Sequence, residues 1–178
     1  MLRKFFKQQK GAMFGLDARI ALSIFAGLSI IAGSAIVFTA RDAQSQALLT
    51  DLAAIRDAVD NFQSDTEMSL HDALTDESDI NAFLALVDPS VLTPEASRHW
   101  LGPYLNKIRS AQHPDYGTMS ISEENKFYWL YISDVPIQTI EDLDSAFDSS
   151  ELSNPNSTGV LRWNAATNQV RWILGSSF

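Results

Sequence analysis

Between Met13 and Phe62 the chain offers a helix no place to stop: it contains no proline, and its last glycine is Gly33. Proline removes a backbone donor and glycine loosens the chain, so the absence of proline throughout and of glycine beyond Gly33 predicts one uninterrupted helix. A short polar step, Asp17-Ala18-Arg19, precedes a run without any charge from Ile20 to Ala40 (IALSIFAGLSIIAGSAIVFTA). Those 21 residues span roughly 31 Å at about 1.5 Å each, the thickness of a bilayer's hydrocarbon core. From Arg41 the pattern turns amphipathic. Leu48, Leu52, Ile55, Val59 and Phe62 recur at steps of 4, 3, 4 and 3, which places them on one helical stripe. The expectation is a helix that begins in a membrane and ends as the spine of a water-exposed domain.

Charge gives the helix a direction. Of 13 basic residues in the 178-residue chain, four (Arg3, Lys4, Lys7, Lys10) precede Gly11 and no acid does. After Ala12 nine basic residues stand against 22 acidic ones, a balance of −13. By the positive-inside rule the basic end stays in the cytoplasm and the acidic domain crosses. An acidic domain is repelled by phosphate backbones, so nucleic acid is not an expected partner. With no cysteine, disulfides, thiol nucleophiles and Cys-based metal sites are excluded. An ordinary signal peptide has an apolar run of about 7–15 residues with its cut behind it. This run is longer and feeds directly into an amphipathic helix, so it reads as retained.

The segment Lys10-Gly11-Ala12-Met13-Phe14-Gly15-Leu16-Asp17 resembles the leader region of the type IV pilin and type II secretion pseudopilin family. That family has a short basic leader, a small residue before the cut and a hydrophobic first mature residue. An acid follows at the fifth mature position, then an unbroken apolar helix. A cut between Ala12 and Met13, next to Gly11, puts Asp17 at the acidic place. Ala stands here for the usual Gly, Asp for the usual Glu, and Arg19 falls where the family's apolar run begins. The resemblance implies a basic prepilin leader (1–12), a transmembrane and assembly half-helix (13–40) and a periplasmic globular domain (41–178). It also implies an α+β, pilin-like fold with the long helix packed on a small antiparallel sheet. In the family the acid pairs with a neighbour's new α-amine, which is often methylated. Read from the residue alone, Asp17 can also cap the membrane helix, where the helix dipole favours a negative charge. Ser23/Gly27 and Ser29/Gly33 form small-xxx-small pairs, which let helices approach closely.

Beyond Phe62, short helices are expected from Asp79 to near Val87, stopped by Asp88-Pro89, and from Thr93-Pro94-Glu95. Trp100-Leu101-Gly102-Pro103-Tyr104-Leu105 resembles the W-x-G-P-Y-L segment of major pseudopilins; its aromatics are expected to pack onto the sheet. Two hairpins are predicted, Thr118–Ser122 with Phe127–Ser133, and Val160–Asn164 with Val170–Leu174. Between them a helix opens at Val135-Pro136, with Ile137, Ile140, Leu143 and Phe147 inward and Glu141, Asp142, Asp144 and Asp148 mainly outward. Major pseudopilins often hold calcium in a late acidic loop, which would single out Asp144, Asp148 and Glu151. Their spacing is not that of an EF-hand, and no cofactor is otherwise expected.

His71, His99 and His113 lack metal-ligand spacing and read as surface or loop residues; no nucleophile elbow, P-loop or dinucleotide fingerprint occurs. The expectation is not an enzyme. It is a structural subunit of a pseudopilus or type IV pilus-like filament, cut by prepilin peptidase and serving type II protein secretion. Partners would be further copies of itself, other pseudopilins and the inner-membrane secretion platform. The lack of cysteine leans towards the major subunit, and Asp17 argues against a tip-capping minor one. The rival expectation is an uncleaved, single-pass anchored periplasmic binding or sensor domain, which would keep Met1 and stay monomeric.

Overall fold

A computed structural model describes residues 10–147, 159–164 and 167–177. Helix α1 runs unbroken over Lys10–Thr66. The chain divides into two compact units, one ending at Ala43 and the other starting at Gln44. In the first, the apolar side chains of α1 lie open all round; Leu22, Phe25, Ile30, Ile36 and Phe38 are among those exposed. In the second, Leu48, Leu52, Ile55, Val59 and Phe62 are all buried, as their spacing requires.

Thr66 closes α1 by donating its hydroxyl to the Phe62 carbonyl at 2.7 Å, and Glu67 turns the chain with a left-handed φ of 55°. The Leu70 amide then donates to the Tyr128 hydroxyl at 2.9 Å. Helices α2 (Asp79–Leu84) and α3 (Pro94–His99) follow. In α3 the Thr93 hydroxyl accepts from the Ala96 amide and Pro94 occupies the first turn, which suits a residue without an N–H.

Strands β1 (Met119–Glu124) and β2 (Phe127–Ile132) make the first hairpin, and β3 (Leu161–Asn164) and β4 (Gln169–Ser176) the second. Helix α4 (Ile137–Phe147) lies between them in sequence. Asn125 and Lys126, with φ of 52° and 66°, form the tight left-handed turn that matches strand twist. The sheet is antiparallel in the order β1-β2-β4-β3. Its inner face (Ile121, Leu130, Ile132, Val170, Trp172, Leu174) joins the α1 stripe in one hydrophobic cluster. The fold is therefore α+β, a long N-terminal helix with a four-stranded antiparallel sheet in a pilin-like layout.

Three local expectations are corrected and one is sharpened. Trp100 and Tyr104 pack against the core cluster that the sheet shares with α1, and their specific contacts are to helical segments. The Trp100 indole donates to the Ala85 carbonyl just after α2 at 2.9 Å, and Tyr104 sits edge-on to Phe62 of α1 at 5.9 Å. Gly102 lets the two rings close, since a Cβ there would lie 2.7 Å from Trp100 and 2.9 Å from Tyr104. Asp144 is buried, at 8% exposure, rather than outward; it lies one turn beyond buried Ile140 and so shares its face. Ile137, from the expected inward set, is 42% exposed as the first residue of α4. His113 is not a surface residue: it is 2% exposed, with Nε2 3.5 Å from the Asp51 carboxylate of α1.

Candidate functional site

The first unit of α1 carries the residues expected to drive assembly. Leaving a large apolar side chain in water costs roughly 1.5–3 kcal/mol relative to burying it. Ten such side chains between Ile20 and Phe38 are exposed, so this surface requires lipid or other protein. The helix is long and apolar enough to cross a membrane. Its hydroxyls suit that setting: Ser23 donates to the Arg19 carbonyl and Ser34 to that of Ile31, each at 2.8 Å. A hydroxyl satisfied within its own helix needs no water.

Gly27 and Gly33 are open surface, with nothing within 4 Å of where a Cβ would stand. Ser23 and Gly27 lie one turn apart, as do Ser29 and Gly33. At 3.6 residues per turn the two pairs point roughly 120° apart. The four small residues thus form two flat faces instead of one seam, and a single helix could meet two neighbours. Asp17 is exposed on the same helix. Because α1 is already helical from Lys10, Asp17 sits inside the helix and does not cap it. Gly11, Ala12 and Met13 lie within α1, and Met13 precedes Asp17 by one turn.

Of the expected calcium ligands, Asp144 alone falls among the described residues. Asp144 is buried on α4, while Asp148 and Glu151, with the loop from Ser149 to Thr158, lie outside the described residues. Among the described residues no group of three His, Asp or Glu side chains could hold a metal ion.

The sheet's outer face holds an arrangement that the sequence reading missed. Arg162 of β3 and Arg171 of β4 are direct cross-strand partners. Both guanidiniums lie over the Trp129 ring of β2, at 4.4 and 4.9 Å from its centre, and Trp129 is left 4% exposed. Alternation within the second hairpin puts Arg162 and Arg171 on one face, but only the β2–β4 pairing brings Trp129 beneath them. No protein-family model, curated protein or solved structure matches the chain.

Proposed function

We propose that the chain is a structural subunit of a pilin-like filament, of the kind that forms the pseudopilus of type II secretion or a type IV pilus. It is inserted in a bacterial inner membrane with the basic end in the cytoplasm and the acidic domain in the periplasm. Prepilin peptidase cuts it after Ala12, and the new Met13 amine becomes available for methylation. Subunits then associate through α1, with Asp17 of one copy pairing with the Met13 amine of the next. A carboxylate at mid-bilayer costs roughly 2.5–3.5 kcal/mol unpaired, which favours the partnered arrangement. The reading assigns no catalysis to the chain; its work is packing, with other pseudopilins and the membrane platform as partners.

The observation that carries the reading is the division of one continuous helix. Its apolar half, with Asp17 near its start and two small-residue faces, is fully exposed, while its amphipathic half is buried in its own domain.

Intact mass and N-terminal sequencing of membrane-extracted protein, from cells with and without prepilin peptidase, test it. The expected result is a chain starting at Met13 only when the peptidase is present. Retention of residues 1–12 in both strains would sink the filament reading and favour an uncleaved anchored binding or sensor domain.

A further inference from the structure

The two arginines on the sheet's outer face are paired against electrostatics. Like charges directly opposite on neighbouring strands destabilise a sheet, and this domain has few cations to spend. Glu124 accounts for only one of them. Its carboxylate lies 3.5 Å from Arg171 and accepts the Tyr131 hydroxyl at 2.7 Å. Arg162 has no carboxylate within ion-pair distance among the described residues; its Nε donates to the Gly159 carbonyl at 3.4 Å.

Over the β3–β4 hairpin lies a cleft of about 250 Å³ lined by Tyr131, Arg162, Trp163, Asn164, Gln169 and Arg171. Every one of these side chains carries a hydrogen-bonding group. The Trp129 face fixes both guanidinium planes, which lowers the ordering cost of binding. A fixed guanidinium offers two parallel donors, the geometry that a carboxylate accepts.

The same domain carries the complementary surface. Asp72, Asp76, Glu77 and Asp79 are all exposed within eight residues. Among the described residues the one basic side chain within ion-pair reach of any of them is His71, 3.5 Å from Asp79. Topology separates the two patches. Helix α2, which starts at Asp79, packs on β1 at one end of the sheet, and the arginine cleft lies on β3 and β4 at the other.

We infer that the arginine cleft over the β3–β4 hairpin takes the acidic stretch Asp76–Asp79 of a second copy, joining neighbouring globular domains head to tail. Each copy then offers one patch and uses the other. Such a heterologous contact leaves a free patch at both ends and repeats into a helical filament. The inference rests on the filament reading and adds to it a contact outside the membrane.

The full-length chain has no cysteine, so introduced ones report alone. Glu77→Cys and Asn164→Cys replace exposed residues at the two patches. After oxidation in membranes, the doubly substituted chain should give a ladder of dimers, trimers and longer products, and a mixture of the two single variants only dimers. Asp76→Lys with Asp79→Lys in the doubly substituted chain should lower the yield about tenfold, the ratio that one ordinary charge pair carries. Adding Arg162→Glu and Arg171→Glu to that chain should restore it, which also shows that the domain still folds.

A Ser29→Cys chain, reporting contact between membrane helices, separates the two failures. Cross-linking at Ser29→Cys without a ladder from the patches overturns the head-to-tail contact and keeps the filament reading. So does a ladder that ignores both charge reversals, or capture of a different acidic protein by Asn164→Cys. Absence of cross-links at every position, with residues 1–12 retained, overturns both.

Discussion

His113 couples the loop before β1 to the long helix. Its Nδ1 accepts the Asp115 amide at 3.1 Å, so the neutral ring carries its proton on Nε2, facing Asp51. Tyr116 packs against the ring at 4.7 Å. Burial pushes the imidazole pKa below the ordinary value of about 6.5, and the Asp51 and Asp115 carboxylates oppose that shift. As pH falls, the unfolded chain therefore takes up this proton before the folded one. The contribution is complete above about pH 6.5 and is lost as pH drops towards the folded pKa. The melting temperature of detergent-solubilised protein should fall across that range, and a His113→Phe variant should fall less steeply. Gly117 makes a second residue-scale case. A Cβ there would collide with the Ser133 hydroxyl and the Asp134 carboxylate, and would lie 2.9 Å from the Ser133 carbonyl. Gly117→Ala should cost about 1–3 kcal/mol in denaturant titrations, the usual range for overpacking.

At the scale of elements, α1 is one helix with two solvents, and substitutions in its two halves should separate cleanly. Ile55 is fully buried in the stripe, so Ile55→Ala should cost about 2–5 kcal/mol of domain stability. Gly27→Leu fills open surface. It should leave the domain's melting temperature unchanged while reducing helix association, measured by cross-linking in membranes. The hairpins show how far local pattern carries. The β-rich runs and polar turns located all four strands, because alternation and turn chemistry are short-range signals. β4 nevertheless runs to Ser176, two residues past its expected end, because β2 supplies partners for Gly175 and Ser176. Trp100 and Tyr104 were legible as packing aromatics and are half-buried, but their partners lie far away in sequence, at Ala85 and Phe62.

For the whole molecule, apolar and ionic contacts should respond differently to salt. Raising ionic strength from about 0.15 M to 1 M shortens the Debye length from about 8 to 3 Å. Association through α1 should persist, because salt does not weaken apolar packing in lipid. Cross-linking between Asp76–Asp79 and the arginine cleft should fall several-fold over the same range. Equal loss at both sites would mean that charge also holds the membrane helices together, as the proposed pairing of Asp17 with the Met13 amine would do.

Sequence alone determined the elements: a helix without a stop, a membrane-length apolar half, a stripe at helical spacing and two hairpins. Those features follow from periodicity and from the backbone demands of proline, glycine and turn residues, all of which act within a few positions. Tertiary structure decided which side of each element is covered. It buried His113 against Asp51 and set Arg162 and Arg171 from one hairpin on Trp129 from the other. Such juxtapositions depend on strand order and on partners tens of residues apart, and no local pattern encodes them.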